Sequence, residues 1–246
     1  MLPADLRAAE AQALAALLAA LPAASRGRWT LEWRFEGLRI LPVALRLAES
    51  LLAAGQQPRL LFADAGAAAL ARRDAATLAE RIDDLRAHLR GQQARAAAPG
   101  AADPEPGLAP GGHAAELLLA VAPAQPEYPD FEQVCQAHPG PVVILNGNLE
   151  DAAVGIGSVA RQRRRGFLAE WKPAYALQPL EDRALRFAFP GPWELYRRDP
   201  DGYRLAARFN EKPDLEEQLS VLATDPASAM AAGLRSLDAL IEGLRS

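Results

Sequence analysis

Residues able to do chemistry are densest between Pro141 and Trp171, PVVILNGNLEDAAVGIGSVARQRRRGFLAEW. An apolar run, Val142–Leu145, leads into a polar loop with Asn146, Asn148 and Asp151, then Gly155-x-Gly157, Ser158 and the arginines 161 and 163–165. Backbone amides at a helix start beside guanidiniums are the means of holding an anion. A site of that kind would draw on Asn146, Asn148, Asp151, the amides from Gly155 through Gly157 to Ser158, and Arg161 and Arg164. Projecting a helix from Ser158 at about 100° per residue puts Ala160, Arg164, Phe167 and Trp171 on one face, with Arg161 and Arg165 on a flank. An arginine in an apolar stripe must snorkel outward or meet an anion, which singles out Arg164. The plainer reading leaves the other arginines in solvent and pairs Arg164 with Glu150 or Asp151. A helix starting at Asn148 is the rival, at a cost of about 1 kcal/mol for each interior glycine.

A second candidate is Asp64-Ala-Gly66, directly after the apolar strand Arg59–Ala63. Asp64 can cap the following helix and Gly66 permits close approach to the strand, but one glycine is not a G-x-G-x-x-G fingerprint. Cys135 and His138 lie three apart on a short helix, and nothing nearby would orient them as a nucleophile and base; a buried thiol beside a surface histidine is expected. His88 and His113 fall on a helix and in a linker, and a single cysteine excludes an internal disulfide and any Cys-based zinc site. P-loop, nucleophile-elbow and H-E-x-x-H patterns do not occur. No catalytic residue, metal ligand or cofactor is assigned.

The elements that position these residues alternate between periods of two and 3.6. Residues 3–21 read as an amphipathic helix, and Trp29–Glu36 alternates strictly, as an edge or partly covered strand does. A helix after Pro42 stops at Gly55; strands follow at 59–63, 116–122 and 142–145; an alanine-rich helix runs from Asp64 to about Arg90 with a joint at Asp74. Strands separated by helices form a mostly parallel, helix-covered, Rossmann-like α/β sheet, with ligands expected beyond the carboxyl ends at Asp64–Gly66, Ala122-Pro123 and Asn146–Asn148. Beyond Trp171, short strands and the Asp199-Pro-Asp-Gly202 turn predict an antiparallel C-terminal β extension. The expected organisation is an N-terminal helix over 1–25, one α/β domain over 26–213 with a flexible Ala/Pro/Gly insertion at 91–114, and C-terminal helices over 214–246. The last of these carries a stripe of Met230, Leu234, Leu237, Ile241 and Leu244.

With 27 basic against 31 acidic residues in 246, the net charge of −4 argues against general nucleic-acid binding. No aromatic interrupts the arginine run, as single-strand binding would require. The N-terminus is a poor secretory or transit peptide, and the apolar run Ala11–Ala24 is too short to span a bilayer.

The segments LLFADAGAAALARRD, VVILNGNLEDAAVGIGSVARQRRRGFLAEW, YALQPLED and FPGPWELYRRDPDGYRLAARF together resemble the domain-of-unknown-function family 1995, of cyanobacteria and plastids. The likeness covers about Trp29 to Pro213, the insertion aside, and rests on the D-A-G turn, the L-N-x-x-L-E-D loop, the G-x-G, the arginine helix and the P-x-P-W turn. Plastid members include a Low Photosystem II Accumulation protein, implicated in assembling photosystem II around its chlorophyll-binding core antenna. The resemblance thus implies an accessory factor in photosystem II biogenesis that works by protein contacts. Its partners would be photosystem subunits or other assembly factors, and it would be cytoplasmic with at most peripheral contact with the thylakoid membrane. Where that family often has Asn-Pro, this chain has Asn146-Gly147, implying a looser loop. The alternative reading of the same residues is a phosphate- or nucleotide-binding α/β enzyme using the loop and helix over 146–164.

Overall fold

The computed structural model describes residues 1–97, 116–149 and 166–224. One nine-stranded sheet runs through them, in the order β3-β2-β4-β5-β1-β6-β7-β8-β9. Its parallel part comprises β1 (Arg28–Trp33), β2 (Pro58–Phe62), β3 (Ile82–Asp84), β4 (Leu117–Val121), β5 (Val142–Leu145) and β6 (Lys172–Pro179). An antiparallel meander of β6, β7 (Arg183–Ala188), β8 (Trp193–Asp199) and β9 (Gly202–Phe209) extends it, as the short strands and the turn at 199–202 predict.

Helix α1 (Leu6–Ala20) starts at Asp5, whose carboxylate accepts the Ala8 N–H at 2.7 Å. It buries Ala9, Ala13, Leu17 and Ala20 in the same core as the strands, the alanines letting it lie close to the sheet. Residues Leu6–Ala23 form 18 helical residues with a mean hydropathy of 1.2, long enough by composition to be weighed as a membrane span; in the fold this stretch packs on the domain. Helices α2 (Ile40–Ala53) and α3 (Ala65–Asp74) cover the same face. The opposite face carries α4 (Leu85–Ala96) and α5 (Tyr128–Ala137) around Tyr128, Phe131, Phe167 and Trp171, and α6 (Leu215–Thr224) over the meander.

One expectation is narrowed and two need correction. Strand β1 is the partly covered strand of the two alternatives and not an edge: it pairs with β5 on one side and β6 on the other, and Thr30 and Glu32 face a half-open side while Trp29, Leu31 and Trp33 are buried. The alanine-rich stretch after Asp64 is not one long helix. It breaks at Ala75 into a 3-10 turn and strand β3, where Ile82 is buried and Asp83 binds Arg59 at 2.9 Å. Arg59 also meets Glu116 at 2.8 Å, so one guanidinium ties β2 to β3 and to the residue just before β4. Lastly, α4 continues to Ala96 through residues expected in the flexible insertion.

Candidate functional site

Of the residues placed at the carboxyl edge of the sheet from sequence, Asp64, Gly66, Asn146 and Asn148 are there, and the side chains of Asp64 and Asn146 bond to neighbouring backbone. Asp64 follows β2 and accepts the Ala67 N–H at 2.9 Å as the N-cap of α3; Gly66 lies against that carboxylate, where a Cβ would sit 3.1 Å from its oxygen. Replacing Asp64 by alanine should cost about 1 kcal/mol of stability in chemical denaturation, as the loss of an N-cap does. Asn146 follows β5 in the left-handed region (φ 51°), which asparagine tolerates better than most residues. Its carboxamide accepts the Trp33 N–H at 2.7 Å and donates to the Trp33 carbonyl at 2.8 Å, adding one side-chain rung to the β1–β5 ladder. Asn148 donates its backbone N–H to the Pro123 carbonyl at 2.8 Å and bridges to Ala124. Between them Gly147 is closely packed: a Cβ there would lie 2.5 Å from Ile144 Cγ2, so a larger residue would force a neighbour to shift. Asp151, Gly155, Gly157, Ser158, Arg161 and Arg164 lie outside the described residues.

Strand β2 is followed by α3 on one face, and its neighbour β4 by α5 on the other. Such a switch point is where open α/β sheets hold ligands. A crevice of about 390 Å3 opens there, lined by Asp64, Asp84, Arg86, Arg90, Glu127 and Asp130 among others. Its carboxylates are engaged: Asp84 caps α4 through the Ala87 N–H at 2.9 Å, Glu127 accepts the Ala124 N–H at 3.0 Å, and Asp130 faces Arg86 at 3.5 Å.

Cys135 and His138 do not form a reactive pair. Both are buried; His138 is not the surface residue expected, being only 4% exposed, and its Nε2–H donates to the Glu116 carbonyl at 2.7 Å. Burial pushes the Cys135 thiol far up, away from the thiolate that nucleophilic chemistry needs, and lowers His138 to about 4. Among the described residues no three of His, Cys, Asp and Glu are grouped so as to hold a metal ion.

A larger cavity lies farther along the same edge, beyond β1 and β6. It measures about 600 Å3 and is walled by Leu6 of α1, Phe35 and Leu38 of the loop after β1, Val43 of α2, Leu177 of β6 and Tyr203 of β9. The loop turns at Gly37 (φ 71°), a conformation glycine adopts without strain. Arg39 and Arg46 stand among the lining, and Arg46 forms a short bidentate pair with Glu10 that fixes α2 to α1. The meander is fastened to α1 by a polar cluster. Buried Glu194 takes hydrogen bonds at 2.7 Å from both Tyr196 and Arg186, and Arg186 reaches Gln12 at 3.0 Å. Burial opposes the Glu194 charge, yet the bonds from Tyr196 and Arg186 hold its carboxyl below the usual range.

The volume and apolar wall of this cavity are those of a pocket for a small apolar group. Sequence reasoning did not find it. Phe35-Glu-Gly-Leu-Arg39 sits where the first strand-to-helix loop of an α/β sheet must lie, and that was a usable signal. That α1, β6 and the tip of the β8–β9 hairpin close around it is not a pattern in any one segment.

The fold is a mixed α/β sheet with an edge-facing apolar cavity. A family model described as a domain of unknown function, DUF1995, matches residues 3–219, and the chain belongs to that family. No curated protein matches the chain.

Proposed function

We propose that this protein is a non-catalytic accessory factor in photosystem biogenesis, most directly of photosystem II, and that it works by holding a partner protein at the carboxyl edge of its sheet. The cavity of about 600 Å3 beyond β1 and β6 carries the binding part of this reading, because its wall suits an apolar group. The engagement of Asp64, Asp84, Glu127 and Asn146 in caps and ladder bonds supports the non-catalytic part. The photosystem setting rests on the likeness of the sequence to the Low Photosystem II Accumulation type of assembly factor. The partners are photosystem subunits or other assembly factors, met at the thylakoid surface. Tagged protein recovered from detergent-solubilised thylakoids of a cyanobacterial host should bring photosystem II assembly intermediates with it. Recovery without them, under conditions that keep those intermediates intact, would overturn the reading.

A further inference from the structure

We propose that β9 is a docking edge: it takes an extended, acidic segment of the partner protein as a tenth strand. This deepens the reading above by naming the form of the partner, and it rests on that reading. Among the described residues nothing pairs with the outer side of β9, which ends the sheet and runs eight residues, Gly202–Phe209. Every second residue of such an edge turns its N–H and C=O outward. The opposite edge, β3, has only three residues and is flanked by charges.

Side chains along β9 say what would suit it. Tyr203 and Leu205 are 43% and 37% exposed and share the face that carries Tyr196, since Leu205 pairs with Tyr196 and Tyr203 with Arg198. Tyr203 is also part of the cavity wall, so an added strand would lie continuous with the cavity mouth. Arg204 points to the other face, toward Asp199 at 3.1 Å, whereas Arg208, beyond the bulge at Leu195/Tyr196, returns to the face of Tyr196 and lies toward Glu194 at 3.4 Å; their side chains remain 63% and 61% exposed. The strand has no acidic residue. An incoming strand with apolar residues against Tyr203 and Leu205 and carboxylates within reach of Arg204 on the other face and of Arg208 beyond the bulge suits this edge. A second copy of the chain does not, because two β9 strands would bring four arginines and no carboxylate from either strand to one seam.

The test uses the whole purified protein and three synthetic octapeptides: alternating valine and glutamate, alternating valine and lysine, and the glutamate peptide with alternate backbone nitrogens methylated. The glutamate peptide should slow amide hydrogen exchange across residues 202–209 and bind about tenfold tighter than the lysine peptide. Methylation should abolish both effects, since it removes the outward ladder bonds. Equal binding of the lysine peptide, indifference to methylation, protection confined to other strands, or no binding at millimolar peptide would each overturn the proposal. So would dimerisation of the unliganded protein with protection of 202–209, which would give the edge to a second copy. These outcomes concern β9 alone, whereas recovery of photosystem intermediates tests the accessory role whichever surface holds them.

Discussion

Acidification from pH 6.5 to about 4 is expected to remove on the order of 3 kcal/mol of folding stability through His138. The imidazole is buried, bound to the Glu116 carbonyl and close to Arg28, His88 and Arg26; burial is the main cause of its lowered pKa of about 4. The unfolded chain begins to protonate this residue near pH 6.5, while the folded chain resists until about 4. In that window the unfolded state binds more protons, so stability falls as pH falls, by about 1.4 kcal/mol for each pH unit. His88 acts in the same direction, its pKa lowered by burial against an opposing contribution from Asp83. Glu194 and Asp199 act in a lower range: their folded pKa values lie below the ordinary carboxylate values, so their contributions are whole above that ordinary range and are lost as pH falls from it through the lower folded values. Urea unfolding at pH 7 and pH 4.5, repeated for His138→Gln, isolates the effect. The glutamine amide can keep the bond to Glu116 but cannot titrate, so the variant should lose most of the difference between the two conditions. An unchanged difference would show that other groups carry the acid sensitivity.

Asn146→Ala is expected to destabilise the protein by about 3 kcal/mol. Two hydrogen bonds to the Trp33 backbone disappear, each contributing on the order of 1 kcal/mol. The Trp33 N–H and carbonyl lose their partner at the point where β1 and β5 leave the sheet. Alanine at φ 51° adds roughly 1 kcal/mol of backbone strain. Asn146→Gly relieves the strain but not the lost bonds and should sit about 1 kcal/mol above the alanine variant. Denaturant midpoints for the two variants separate these contributions. A loss below about 0.5 kcal/mol in Asn146→Ala would mean that the carboxamide is not a ladder rung in solution.

Much of the sheet was legible because its signals are local. Leu117–Val121 and Val142–Leu145 are continuous apolar runs, and each is buried along its length, as strands covered on both faces must be. The Asp199–Gly202 turn announced the β8–β9 hairpin by residue type alone. Strand β3 was not legible: three residues between an alanine-rich helix and another helix carry no period, and only the pairing of Ile82 with Leu60 gives them a place. For strand β1 the alternation gave the half-open face correctly but could not choose between an edge and a partly covered strand; Thr30 and Glu32 make that face polar in the middle of the sheet.

At the candidate site, residue types revealed polar groups but not what those groups were already bonded to. Asp64 and Asn146 stand at strand ends as expected, yet a capping carboxylate and a ligand-binding one look alike until the Ala67 amide is seen 2.9 Å away. The apolar cavity escaped notice because its wall is made of ordinary core residue types, Leu6, Phe35, Val43 and Leu177, drawn from distant segments. Such residues read singly as packing.

The proposed role of the apolar cavity in photosystem II assembly is tested most directly by a complemented deletion strain. A cyanobacterial strain lacking the protein should accumulate early photosystem II intermediates on native gels and recover when the wild-type chain is restored. Tyr203→Asp changes a half-exposed residue on the cavity wall, where a surface substitution should cost no more than about 0.5 kcal/mol, and it puts a charge where an apolar group must enter. That variant, present at normal level, should fail to restore assembly. Normal photosystem II accumulation in the deletion strain, or full rescue by Tyr203→Asp, would contradict the claim.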